Sequence, residues 1–245
     1  MQRLSVDFHQ EFCYTLLSFH KLGRSVMKRS VLRVLLIAGL FMVVLISSNI
    51  TIAQELTTIQ LPKPKTEGGM PLLDVLMKRQ SVREYSTKPL SEQILSNLLW
   101  AAFGITRPES GKRTAPSAHN WQEIDIYVAM EKGLYLYDFK DHVLRPVLAK
   151  DIREVTGRQP FVKDAPVNLI FVADYNRMGD SPTTEKEKYS TVDTGFISQN
   201  VYLFCTSEGL ATVVRGLVDR EALAKAMHLE SHQKVTYAQT VGYPK

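Results

Sequence analysis

Apolar residues recur at three- to four-residue spacing in some stretches of this chain, and every second position or unbroken in others. These two periods separate helix from strand. Residues 71–77 (PLLDVLM) predict a short helix with Pro71 at a first-turn position, where its missing N–H costs nothing. Ser91 is placed to cap a helix running to about Phe103, with Ile94, Leu95, Leu98, Leu99 and Ala102 as its inward stripe. Leu90 and Leu95 are spaced as a hydrophobic staple. Residues 104–120 read as a loop. Residues 124–128 (IDIYV) alternate as a half-buried strand, and two short strands follow at 134–137 and 143–144. Residues 146–155 read as a helix that Gly157 stops. The unbroken apolar run 167–173 predicts a central strand covered on both faces.

Residues 184–207 predict a long helix, polar at first and then apolar through Val192, Phe196, Gln199 and Leu203, with Gly209 as its stop. A strand at 211–214, a helix capped by Asp219 and running to Met227, and a strand at 235–241 complete the chain. Interleaved helices and strands predict an α+β fold. No glycine fingerprint follows a strand, so a Rossmann dinucleotide site is not expected.

The first 53 residues have a different character. A short basic stretch, 27–33 (MKRSVLR), precedes 13 residues without a polar side chain (34–46), and Thr51, Ile52 and Ala53 then supply small residues ahead of Gln54. This is the secretory-signal pattern. A membrane span needs about 20 apolar residues, which favours cleavage and export to the periplasm. The alternative is an uncleaved N-terminal anchor, since uncharged residues continue to Gln54. Residues 1–26 sit awkwardly ahead of such a signal, and Met27 is the expected start. The expected organisation is a leader over 1–53, an arm or tether over 54–69 (QELTTIQLPKPKTEGG), and one domain over 70–245.

Charge changes the picture only slightly. The net charge is +5, but the leader carries +4 of it, from Arg3, Lys21, Arg24, Lys28, Arg29 and Arg33 against Asp7 and Glu11. The nearly neutral remainder has no stacked basic-aromatic cluster, which argues against nucleic acid as a partner. Cys13 falls in the leader, so Cys205 has no intramolecular partner after export and reads as a buried structural thiol. His228 and His232 lie four apart but lack a third ligand, and they read as surface residues at a helix end; no metal site is expected. The chain has no GxSxG elbow and no phosphate-binding P-loop.

Three stretches carry candidate chemistry. Arg79, Ser81 and Arg83 fall at alternate positions just after the first helix. In an extended segment such residues share one face, and two guanidinium groups with a hydroxyl suit a phosphate or carboxylate. Residues 113–122 (RTAPSAHNWQ) combine small residues, which admit a close approach, with the amides of Asn120 and Gln122. Residues 193–203 (DTGFISQNVYL) place Gly195 inside a helix at a cost of about 1 kcal/mol against Ala, which a close helix or ligand approach would offset. Residues 209–216 (GLATVVRG) follow.

In this order and spacing, R-x-S-x-R-x-Y (Arg79, Ser81, Arg83, Tyr85), A-P-S-A-x-N-x-Q (115–122) and Q-N-x-x-L…G-L-x-T-V…G resemble the FMN-dependent nitroreductase family over about 71–245. The resemblance is strongest to its single-domain branch, which includes azoline-forming dehydrogenases. It implies a mixed central sheet flanked by helices and an interlocked homodimer with two interfacial FMN sites. By position, Arg79, Gln80 and Ser81 would hold the phosphate and ribityl chain. Arg83 would lie at the flavin N1–C2 edge. Pro116, Ser117, Ala118 and Asn120 would reach the flavin from the partner subunit. The backbone of Val214, Arg215 and Gly216 would approach flavin N5, and Gln159 and Lys245 are weaker candidates for further contacts.

The resemblance further implies ping-pong hydride transfer through flavin N5 to a nitro compound, a quinone or another small acceptor, with no acid–base residue required. NAD(P)H is the possible donor, though export would separate the protein from it. The alternative is an exported flavin-binding or electron-carrier protein without nicotinamide-dependent turnover. Two departures stand out: Gln122-Glu-Ile replaces the Gln-Pro-Trp common in the family, and the chain ends at Gly242-Tyr-Pro-Lys245 where relatives often continue.

Overall fold

The computed structural model describes residues 55–245. The expected leader, the start at Met27 and Cys13 lie outside the described residues. Strand β1 (Ile59–Gln60) belongs to the arm and is followed by helices α1 (Leu72–Lys78) and α2 (Glu92–Phe103). A small hairpin, β2 (Ile105–Arg107) and β3 (Lys112–Arg113), precedes the antiparallel run β4 (Ile124–Met130), β5 (Gly133–Asp138) and β6 (Val143–Leu148). Then come β7 (Val167–Asp174), the long helix α3 (Thr183–Ser207), β8 (Ala211–Arg215), α4 (Arg220–Ala226) and β9 (Gln233–Gly242).

Seven strands form one sheet in the order β1-β6-β5-β4-β7-β9-β8, and every neighbouring pair within this chain runs antiparallel. The unbroken apolar run of β7 sits inside the sheet between β4 and β9, as expected of a strand covered twice. Its side chains alternate. Val167, Leu169, Phe171 and Ala173 face the layer built by α2 and α3, while Ile170 and Val172 face Val218, Leu223 and Met227 around α4. Emptying one fully buried ring such as Phe171 costs about 3–5 kcal/mol, so this frame holds its surface segments firmly.

Helix α2 starts as its sequence dictates: Ser91 Oγ accepts from Ile94 N at 3.3 Å, and Leu95, Leu98, Leu99 and Ala102 are buried. Asp219 caps α4 in the same way, accepting from Ala222 N at 3.1 Å. Residues 55–69 form an arm laid on the body. Leu56, Ile59 and Leu61 pack on the core, Ser96 Oγ donates to Pro62 O at 2.6 Å, and Met70 N donates to Ser207 Oγ at 2.8 Å.

Four expectations change. The loop 104–120 contains the β2–β3 hairpin and a 3-10 turn at Ala118–Asn120. The helix expected at 146–155 is the end of β6, with Pro146 paired to Tyr135, followed by a 3-10 turn at Arg153–Thr156. Strand β1 covers β6 only at Val143 and Leu144, so Pro146 lies on an open edge where a strand tolerates proline. Gly157 is extended and not a helix stop; a Cβ there would collide with Nη1 of Arg215. On α3 the inward face is Asp193, Thr194, Ile197, Ser198, Val201, Tyr202 and Cys205, whereas Val192 and Phe196 are 47% and 45% exposed. Nothing in the described chain lies within 4 Å of a Cβ built on Gly195.

Candidate functional site

The strap after α1 is extended because it cannot stay helical and also reach the sheet. Arg79 N still bonds Val75 O at 2.8 Å, closing the helix, but its ψ is 124°. Val82 N then donates to Thr212 O at 3.0 Å, which lays the strap along the outer edge of β8. Val82 packs beside Tyr85, Ala211 and Val213, while Ser81 and Arg83 on either side of it are exposed.

Three of the expected residues meet at one side chain. The Tyr202 hydroxyl on α3 lies 2.9 Å from Ser81 Oγ and accepts from Val214 N at 3.0 Å. The Arg79 guanidinium stands 5.3 Å over the Tyr202 ring, within the range of a cation–π contact. Tyr202 was part of the predicted helix but not of the predicted site; its one sequence signal is a hydroxyl set in the apolar half of that helix. Neither Arg79 nor Arg83 has an ion-pair partner among the described residues. Gln80 is exposed on the same strap.

The end of β8 adds to this group through its backbone. The Arg215 side chain is buried on the opposite side, where it donates to Thr156 O at 2.6 Å, Thr240 Oγ1 at 3.0 Å and Asn168 Oδ1 at 3.0 Å. Burial with no carboxylate partner lowers its pKa to about 10. Arg158 N bonds Leu217 O, and the Gln159 side chain lies beside Gly157 and the Arg215 guanidinium. Gln159 Oε1 is buried and has no hydrogen-bond partner among the described residues. Tyr85 pairs with Pro244, and Ser86 N donates to Tyr243 O at 2.9 Å. Continued antiparallel, this pairing sets the exposed Lys245 opposite Glu84, next to Arg83.

The second stretch forms a separate group. His119, Asn120 and Gln122 all have φ between 50° and 56°, a left-handed conformation that costs non-glycine residues about 1–3 kcal/mol each. Surrounding bonds hold it. Ser117 Oγ accepts from Gln122 N at 2.8 Å and donates to Glu123 Oε2 at 3.1 Å. Ala118 N donates to Asp193 Oδ2 at 2.8 Å, and Asn120 Oδ1 accepts from Gln122 Nε2 at 3.1 Å. Pro116, before them, is exposed. Glu123 is fully buried, and desolvation, with the nearby Asp193 carboxylate, raises its pKa to about 7. Strain of this kind collects at functional segments.

The two groups do not meet within one chain. The loop is tied to α3 at Asp193 and the strap at Tyr202, nine residues further on, which is about 13 Å along a helix rising 1.5 Å per residue. No hydrogen bond among the described residues joins them.

Residues 76–243 match the Nitroreductase family. The chain belongs to the nitroreductase family. A solved structure of a protein named as a nitroreductase from Ralstonia eutropha JMP134 is 43% identical, with a TM-score of 0.74 over 78% of this chain and 90% of that one. A protein of Methanocaldococcus jannaschii, also named as a nitroreductase, is 36% identical over 65% of this chain and 84% of its own length. The FMN reductase [NAD(P)H] of Bacillus subtilis is 24% identical over 69% of this chain, which spans 64% of that enzyme. The Escherichia coli microcin synthetase McbBCD complex shares the fold at 17% identity, with a TM-score of 0.59 over 81% of this chain and 82% of that one. The expected resemblance to the family is therefore borne out, as is its α+β fold, and the chain is an oxidoreductase of this family.

Proposed function

We propose that the protein is an FMN-dependent oxidoreductase that takes electrons from a donor and passes them, in ping-pong order, to a nitro compound, a quinone or another small acceptor. The observation that carries this reading is the convergence of Arg79, Ser81 and Val214 on Tyr202, with two guanidinium groups left unpaired beside them. Such a cradle fits a phosphate-bearing cofactor. Arg79, Gln80 and Ser81 hold the phosphate and ribityl chain, with Lys245 adding charge at the rim. Arg83 supplies positive charge to the pyrimidine edge, where reduction adds negative charge. Val214, Arg215 and Gly216 present backbone and no side chain to the reacting face. FMN supplies reversible two-electron hydride chemistry when bound.

The remaining contacts come from a second copy. Pro116, Ser117, Ala118 and Asn120 are held in a preset conformation too far along α3 to complete the cradle of their own chain. Val192 and Phe196 of α3, beside the open space at Gly195, and Leu72, Leu73, Leu76 and Met77 of α1 are exposed apolar side chains that a homodimer would bury. The leader exports the protein, which makes a membrane quinol or an oxidisable substrate a better donor than cytoplasmic NAD(P)H.

Steady-state kinetics on the FMN-loaded protein test the reading, with a quinol or NADH as donor and a quinone or nitroaromatic as acceptor. Parallel double-reciprocal lines are expected. Flavin binding without turnover for any donor–acceptor pair would reduce the protein to a flavin carrier.

A further inference from the structure

A cavity of about 620 Å³ lies between the β2–β3 hairpin, the β5–β6 turn and residues 120–122. Its volume is in the range of small-molecule sites. Arg113 lies at its inner wall, only 5% exposed, and its guanidinium is stacked between two rings, 4.1 Å from Phe103 and 3.4 Å from Phe139. The two rings take up much of the guanidinium's flat surface and leave its Nη edge for recognition. Nε is committed, donating to Gln122 Oε1 at 3.0 Å. Nη1 and Nη2 have no acceptor among the described residues, and no carboxylate there lies within ion-pair distance.

A buried charge is ordinarily paired, because desolvation costs several kcal/mol. The other two arginines lining this cavity are more exposed than Arg113, yet both are paired. Arg145 is bonded to Asp138 and Asp141, and Arg177 makes a two-point pair with Asp125 at 2.9 and 2.8 Å. Arg177 thereby occupies Asp125, one of two carboxylates near Arg113; the other, the buried Glu123, accepts from Ser117. Burial lowers the Arg113 pKa only to about 10, so its charge persists at neutral pH. The walls beyond it include Trp121, Leu136 and Tyr137, an apolar and aromatic surface.

We propose that this cavity binds a small organic carboxylate, with the carboxylate on the Nη1–Nη2 edge of Arg113 and an apolar or aromatic body against Trp121 and Leu136. A planar fork with two free donors is the geometry that suits a carboxylate, and the stacked rings fix its orientation in advance. The ligand would also be felt at the preset loop, because Gln122 bridges Arg113 to Asn120. This site is separate from the Tyr202 cradle of its own chain; Asn120 at its rim is the residue it shares with the loop assigned to a second copy's flavin.

Calorimetric titration of the full-length protein with benzoate, benzamide and inorganic phosphate tests the proposal. Benzoate should bind once per chain, and its neutral isostere benzamide about tenfold or more weaker, the difference expected for a charge-assisted two-point contact. Arg113→Lys should weaken benzoate by a similar factor, whereas Arg79→Ala should leave it unchanged. The proposal is overturned if benzoate gives no saturable heat up to about 10 mM, if benzamide binds equally well, or if phosphate binds more tightly than benzoate to Arg79→Ala, where the strap cannot contribute. Loss of benzoate binding in Arg79→Ala would place it in the strap and also overturn the proposal. The benzoate–benzamide comparison needs no variant and decides the matter even if Arg113→Lys does not fold.

Discussion

Arg215→Met separates what this segment does for the fold from what it does for a ligand. The guanidinium makes three short bonds inside the protein, to Thr156 O, Thr240 Oγ1 and Asn168 Oδ1. All three acceptor residues are buried. Methionine fills most of the volume but donates nothing. Thr156 O is left stranded, while Thr240 Oγ1 and Asn168 Oδ1 keep each other at 2.7 Å. One stranded acceptor costs about 1–3 kcal/mol and each weakened one about 1 kcal/mol, offset in part by relief from burying an unpaired charge. The net expected loss is about 3 kcal/mol. For a domain of this size that lowers Tm by about 6–12 °C. The assay is urea unfolding followed by far-UV circular dichroism, with an FMN titration on the folded protein. A large fall in stability with flavin affinity kept within about threefold supports the assignment of only the Arg215 backbone to the site. A loss below about 1 kcal/mol, or lost flavin binding at unchanged stability, would refute it.

Gly157→Ala should act on the same network, since its Cβ runs into Nη1 of Arg215; about 1–3 kcal/mol of destabilisation by urea unfolding is expected, and a neutral effect would contradict the packing. The folded state raises the pKa of Glu123 to about 7 from its ordinary 4.5, so it binds more protons than the unfolded chain between those values. Its contribution is therefore complete below about pH 4.5 and is lost as pH rises through 7; Tm measured from pH 5 to 8 should fall across this window in wild type and flatten in Glu123→Gln. If the cradle and loop of each site come from different subunits, Arg79→Ala and Asn120→Ala should each lose flavin binding alone. Unfolded together and refolded, they should recover about one site in four, because half the dimers are mixed and each mixed dimer has one intact site; no recovery would confine the site to one chain.

Much of the frame was legible because burial on both faces leaves an unmistakable pattern, as in the apolar run of β7 and the capped stripe of α2. The alternation of Arg79, Ser81 and Arg83 likewise announced an extended strap. Other features depend on what lies opposite, which one-dimensional periodicity does not contain. Pro146 looked like a helix start because nothing in the sequence says that β1 stops short and leaves that edge of β6 open. The apolar residues of α3 lie on two faces, and sequence alone does not tell which of them meets the sheet of its own chain; Phe196 proved to be on the outer one. Tyr202 escaped for the same reason, since its role comes from Ser81 and Val214, elements distant in the chain. Gln159 entered as a candidate only through the family resemblance, since nothing in its local pattern marks it.

The most direct test of the flavin assignment is the visible absorption spectrum of the purified protein, with the released cofactor identified, for wild type and Arg79→Ala side by side. Wild type should show a flavin spectrum that yields FMN, and Arg79→Ala should be colourless with an unchanged far-UV circular dichroism spectrum, melting lower only by the stabilisation that bound FMN supplies. A colourless wild-type protein that also fails to take up added FMN would contradict it.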